Sequence, residues 1–432
     1  MNGKKWILCA LFLSAVLLLS ACAPKQESAA QKAQTGFVPA LDKNAEGTVN
    51  VVGHYSNFEA LEAEFNRFTA YYPNVKLSYT CLDNYNGIIV TALSSSEAPD
   101  IFFTYPWMLT REGYGAIFEA AEDLSDPKLK IDLGCIRESI LTRNSAGSVW
   151  TVPIYTTTYG MLVNESIFEK EKIAVPTTYT ELLSACEALK KAGYANPVMA
   201  HNSGGFLLLP LYYPSFCAKV RGSETAAADM NAFKEGAGEN MRDALELAAD
   251  FMSRGYLDLE SCNQLENDYN AVIMRFFEGD VPMMLVSANT VSGTEKRESQ
   301  SEAFTANPFR YSFRLVPGTD EGPLFVNTVS MGFAVNKNSK NLAFANEFMR
   351  FLVTTEEMNR IAQAKRMVPP CVDMSLDKVY GTLSQVSKDK IINLSELGLS
   401  EKADGQVRIA AWKVCNGEMT VDEAVAAYGS LQ

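Results

Sequence analysis

A strand–helix alternation beginning near residue 48 restricts the fold more than any other feature. Thr48-Val-Asn-Val-Val-Gly-His54 reads as a strand, and Ser56-x-x-Glu59 after it has the pattern of a capping box. That box opens a predicted helix with Phe58, Leu61, Phe65 and Phe68 on one face, and Pro73 closes it. Val75 to Cys81 alternates as a second strand, a helix follows around Gly87 to Ser95, and Asp100 to Thr104 reads as a third strand. Strands alternating with helices imply an α/β fold with a parallel sheet.

The pattern resumes beyond Trp150 with an extended stretch to Tyr155 and another from Met161 to Asn164. Thr178-Tyr-Thr-Glu181 forms a second capping box ahead of Leu182, Cys186 and Leu189. Met241, Leu245, Ala248 and Met252 give an amphipathic helix ended by Gly255, and Asp268 to Glu278 gives one stopped by Gly279. Val281 to Ser287 and Ser330 to Asn336 read as strands. Ala343 to Leu352 and Glu356 to Ala364 read as helices before the Pro369-Pro370 break.

The chain has 432 residues, enough for two to three domains of about 150 residues or one bilobal body. Lys4 and Lys5, the apolar run Trp6 to Leu19 and small residues behind it have the three-part layout of a secretory signal. Leu19-Ser20-Ala21-Cys22 resembles a bacterial lipobox, which implies cleavage before Cys22, diacylglycerol on its thiol and a chain tethered to the outer face of the cell membrane. Residues 1–21 are thus expected to be a signal peptide. Residues 22–47, rich in Ala, Gln, Lys, Glu and Ser, are expected to form a flexible stalk, too poor in apolar content to order itself.

With 38 Lys and Arg against 51 Asp and Glu, the net charge of −13 offers no basic field for a phosphate backbone, so nucleic acid is not an expected partner. His54 and His201 are the only histidines, which removes three-histidine zinc sites and most histidine-based acid–base catalysis. Once Cys9 and Cys22 are set aside, Cys81, Cys135, Cys186, Cys217, Cys262, Cys371 and Cys415 remain without any C-x-x-C. They read as small buried hydrophobes, with room for one or two disulfides. No metal or cofactor is expected.

Several segments taken together resemble the bacterial extracellular solute-binding proteins of ABC importers, the group that includes maltose-binding protein. They are Ala98-Pro99-Asp100-Ile101, Gly147-x-x-Trp150-x-Val152-Pro153, Tyr159-Gly-Met-Leu-Val-Asn164-Glu-x-x-Phe168 and Pro176-x-Thr178-Tyr-x-Glu181-Leu. Phe277-Glu-Gly279-Asp-Val-Pro-Met283-Met, Ala345-x-x-Phe348-x-x-Phe351-Leu352 and Gly417-x-x-Thr420-Val-Asp-Glu-Ala424 follow. The resemblance implies an α/β periplasmic-binding-protein fold of type II, with two lobes joined by three hinge crossings. It also implies a carbohydrate ligand, permease subunits as partners, a monomer, and no enzymatic activity. Crossings near Tyr155 to Thr158, Ser287 to Asn289 and Asn336 to Ser339 would give an N-terminal lobe of residues 47–155 plus 288–336. The C-terminal lobe would then hold residues 156–287 plus 337–432.

In open α/β sheets a ligand lies beyond the carboxyl ends of the strands, which directs attention to Tyr55, Tyr105, Trp107, Tyr155, Tyr159 and Phe206. A sugar offers an apolar C–H face to a ring and a rim of hydroxyls to polar groups, and Asn202, Ser287, Asn289 and Asn327 are placed to meet that rim. Each ring also has a plain packing role open to it. His54 reads as structural, Trp150 and Trp412 as core, and Tyr212, Tyr213 and Phe216 as either lobe surface or cleft wall. Other transported solutes remain open at this point: a polyol, a phosphate ester, a polyamine, or ferric ion held by Tyr55, Tyr155 and His54. A secreted hydrolase would need paired carboxylates, and no motif pairs them.

Overall fold

The structure, a computed structural model, describes residues 36–109, 111–266 and 268–431. The expected signal peptide, Cys22 and most of the expected stalk lie outside the described residues. Two sheets organise the rest. In the first, β1 (Gly47–Gly53) pairs in parallel with β2 (Val75–Cys81) on one edge and β3 (Ile101–Thr104) on the other. The helix Glu59–Thr69 covers this sheet with Leu61, Phe65 and Phe68.

Its start differs from the sequence expectation. Ser56 does not cap it; Phe58 occupies the N-cap position, wholly buried against Phe103, Tyr79 and Tyr155. Burying a phenylalanine is worth about 2–3 kcal/mol and a cap about 1, so packing chose the entry angle. At Thr178 the cap does form: its hydroxyl accepts from Glu181 N at 3.2 Å.

The first sheet also receives β4 (Val152–Thr157), β9 (Phe325–Val335) and β10 (Ile391–Asn393), all paired to β9 or through it to β3. The second sheet runs β6 (Val198–Met199), β7 (Met283–Ser287), β5 (Tyr159–Asn164), β8 (Tyr311–Arg314). Neither is purely parallel, contrary to the expectation from alternation. β9 is antiparallel to β3 and β4, and β5 is antiparallel to β7 and β8. These strands arrive from the other sheet or by direct links, not through helical crossovers, so they enter from the opposite end.

Only Thr158 separates β4 from β5, so the chain passes from the first sheet to the second there. Two expected crossings fall elsewhere. β8 pairs Met161 with Arg314 in the second sheet, so the chain crosses between β8 and β9, not at Ser287 to Asn289. The helices Leu342–Leu352 and Thr355–Gln363 pack on the first sheet, so the next crossing follows residue 371, not Asn336. Aromatic fit explains the second correction. Phe348 lies 5.4 Å from both Phe65 and Phe68, and Phe351 lies 5.5 Å from Phe68. The helix Glu401–Cys415 returns to the second body, packed on the helix Arg242–Ser253. All seven cysteines from Cys81 onward are free thiols; Cys81 is half-buried and the others are buried.

Candidate functional site: a cleft between two aromatic walls

The chain leaves β3 into the short turn Pro106–Leu109, which lifts Tyr105 and Trp107 off the end of the first sheet. Their rings lie parallel, 2° apart in plane with centroids 5.8 Å apart. Tyr114 meets Trp107 edge-on at 5.0 Å, and the Arg111 guanidinium sits 5.1 Å from its ring centre. The Tyr105 hydroxyl pairs with His54 Nδ1. Burial lowers the His54 pKa below its ordinary value, so the imidazole is neutral at neutral pH.

The facing wall comes from the second body. Tyr213, on the helix Leu209–Arg221, donates its hydroxyl to Asp404 of the helix Glu401–Cys415. Asp404 also pairs with Arg408 at 2.9 Å. Behind Tyr213 stands Tyr159, edge-on at 5.5 Å, and behind that Phe206 at 6.4 Å. Burial raises the pKa of both Tyr159 and Tyr213, so both phenols stay protonated donors.

Between the walls lies a cavity of about 370 Å³, bordered by Trp107 and Val329 on one side and by Tyr213, Leu399, Glu401 and Asp404 on the other. Trp107 also borders a second cavity of about 450 Å³, with His54, Asp83, Asn84, Asn86 and Tyr105 around it. Both sizes fall in the range of small-molecule sites, about 300–1,000 Å³. Asn84 holds a left-handed backbone, φ 54°, at the rim of the second cavity. Asparagine tolerates that region better than most residues.

Of the expected rings, Tyr105 and Trp107 border the cavities, while Tyr159 and Phe206 stand behind Tyr213 and border neither. The structure places the other expected site residues elsewhere. Tyr155 is 0% exposed and donates its hydroxyl to the Ile361 carbonyl at 3.4 Å, so it belongs to the core. Tyr55 is half-buried against Phe58 and Phe103, with Lys365 Nζ 5.3 Å from its ring centre. Asn202 donates to Asn263 at 2.6 Å and Asn416 at 2.9 Å and accepts from Trp412 Nε1 at 2.8 Å, which consumes its amide in holding the loop. Asn327 is held by Arg137 and Asn393, Asn289 accepts from Ser330 Oγ at 2.9 Å, and Ser287 is buried at the end of β7.

Sequence reading missed Asp404 and Glu401 and left Tyr213 undecided. Glu401, Asp404 and Arg408 recur at helical spacing, which marks a shared face but not what that face meets. Among the described residues, no group of three His, Cys, Asp or Glu side chains is placed to hold a metal ion. Tyr155's burial also takes away one oxygen of the tyrosine set considered for ferric ion.

Two α/β bodies facing each other across such a gap define the two-lobed periplasmic-binding-protein fold of type II. Residues 53–359 match the bacterial extracellular solute-binding protein family, and the chain belongs to it. A stretch of 184 residues is 29% identical to the melibiose/raffinose/stachyose-binding protein MelE of Bacillus subtilis. That match spans 42% of this chain and 39% of that protein. Among solved structures, RafE from Streptococcus pneumoniae in its apo form superposes with a TM-score of 0.66 at 15% identity, covering 90% of this chain and 98% of that one. RafE in complex with raffinose gives 0.62 at 16%, covering 88% and 98%. The GacH receptor of Streptomyces glaucescens, solved unliganded and with acarbose, gives 0.65 at 17%, covering 89% and 97%. At these identities the likeness shows the fold. Among the described residues, no helix is long and apolar enough to cross a membrane.

Proposed function

We propose that this chain captures an oligosaccharide in the cleft and delivers it to the permease of an ABC importer. In this reading it acts as a monomer held to the outer face of the cell membrane by lipid on Cys22. The observation that carries the reading is Trp107, an indole standing between two cavities and facing a wall of tyrosine and carboxylate. Its ring suits the C–H face of a pyranose, and Asp404, Glu401, Asn84 and Asn86 suit the hydroxyl rim. A ligand reaching both cavities would need more than one sugar ring.

The names of MelE and of RafE with raffinose support α-galactosides as the first class to test. With Glu401 and Asp404 along the gap, an anionic sugar or phosphate ester would meet like charge. Capture requires no covalent step. Closure follows if the ligand touches both walls and so favours the closed state over the open one.

The test is a thermal-shift screen of raffinose, stachyose, melibiose, maltose oligomers and monosaccharides, with calorimetry on each hit. A ligand that binds only the folded state raises the melting temperature. A flat response to every neutral sugar would overturn the carbohydrate reading. For the anchor, Cys22→Ala is expected to move the protein from the membrane fraction to the soluble one.

A further inference from the structure

Arg137 lies outside the cleft, between the turns Leu133–Cys135 and Glu138–Ile140. Its Nη1 donates to the carbonyls of Pro369 at 3.2 Å and Cys371 at 3.0 Å. Its Nη2 donates to Thr156 Oγ1 and Asn327 Oδ1, both at 3.2 Å. These acceptors are all neutral. Burial pulls the guanidinium down to about 10, which still leaves it charged at neutral pH.

The positions of the acceptors matter more than their number. Thr156 is next to last in β4, immediately before the first connection between the sheets. Asn327 is the third residue of β9, immediately after the second. Residues 369–371 precede the passage to the turn Lys378–Tyr380, which packs on β8 and makes the third, before the chain returns to the first sheet at β10 and leaves it again for the helix Glu401–Cys415. Asn327 extends the network by donating to Asn393 of β10 at 2.9 Å, and the Thr156 amide reaches the Val368 carbonyl at 2.8 Å.

We propose that Arg137 is a positioning residue for ligand capture: one guanidinium ties together the first-sheet ends of the first three connections between the sheets and so sets how freely the cleft opens. Opening turns the backbone in every connection. A shared donor fork makes the three turn as a unit, because any one moving alone would leave a half-buried charge short of acceptors. Lysine carries the charge but cannot fork across these acceptors. The functional meaning rests on the binding-protein reading, while the coupling itself does not depend on any ligand.

Hydrogen exchange read by mass spectrometry on the ligand-free mature protein tests it, comparing wild type with Arg137→Lys. Peptides covering residues 154–158, 325–328 and 366–372 are expected to exchange about tenfold faster together, with β1 and β7 unchanged. Small-angle scattering of the same ligand-free sample is expected to show a larger radius of gyration. Unchanged exchange in the three segments, acceleration in only one, or uniform acceleration through both sheets would each overturn the proposal. Asn327→Leu removes one acceptor and keeps the test open should Arg137→Lys fail to fold. In that variant residues 325–328 alone are expected to accelerate, and no acceleration there would count against the network.

Discussion

The two walls of the cleft are built on different principles. On the first-sheet side, Tyr105 and Trp107 sit on a short turn beyond β3, with rings parallel and the indole open to two cavities. On the other side the rings are braced inside the fold: Tyr213 is held by Asp404, Tyr159 stands edge-on behind it, and Phe206 rests on His201 at 4.5 Å. The first wall offers a flat apolar face, the second an edge of polar atoms. Trp107 borders both cavities, whereas Tyr159 and Phe206 are spent on neighbouring rings.

The largest expected effect breaks the comparison on the first side. Tyr155→Ala, a wholly buried ring packed against Phe58, should cost about 3–5 kcal/mol of stability in chemical denaturation while leaving calorimetric affinity for a bound sugar nearly unchanged. An affinity loss as large as the stability loss would return Tyr155 to the site.

Next is a pH effect behind the second wall. Burial holds the His201 pKa down to about 4 from an ordinary 6.5, so the unfolded chain takes up the proton first as pH falls. Its contribution is fully present above pH 6.5 and is lost on the way down to pH 4, a span worth about 3 kcal/mol. Unfolding free energies of His201→Leu should lack that slope between those limits. An identical slope in both proteins would show that the ring is not protected by the wall.

Trp107→Ala tests the indole that borders both cavities. It should weaken sugar binding by about 1–3 kcal/mol, read by calorimetry, with little change in melting temperature. Unchanged affinity would remove Trp107 from the site. The smallest effect is expected from Asp404→Asn, which keeps an acceptor for Tyr213 but gives up the charge pairing with Arg408. That pair is partly solvated, and its loss should change stability by less than about 1 kcal/mol. A larger loss would mean that the second wall depends on its ion pair more than on its packed rings.

Local elements were legible where a local pattern was also the dominant force. β2 falls on Val75–Cys81 because alternating side chains need only one buried face, and Thr178 caps its helix because the cap partner is three residues away. Ser56 failed as a cap because Phe58 found a core assembled from three strands, a preference that no window around Ser56 contains. The connections near 287 and 336 failed similarly. A strand that ends beside a new helix looks like a change of lobe, yet β8 still belonged to the second sheet, and Phe348 and Phe351 carried their helix to the first.

The candidate site divides along the same line. Tyr105 and Trp107 could be nominated because they follow a strand, and Tyr159 and Phe206 because they flank a crossing or a loop. Asn202 looked equally suitable until Trp412, Asn263 and Asn416 claimed its amide. Asp404 carried no mark, since its partner Tyr213 lies 191 residues away in the chain.

By itself the sequence determined the periodic elements, the aromatic stock at strand ends and the acidic surface, all of which depend on neighbours within a few residues. Tertiary structure alone decided which sheet each segment joined, which rings came to border a cavity, and which polar groups were already spent. A cleft made by discontinuous segments is defined by contacts between distant residues, and local periodicity has no reach over that distance.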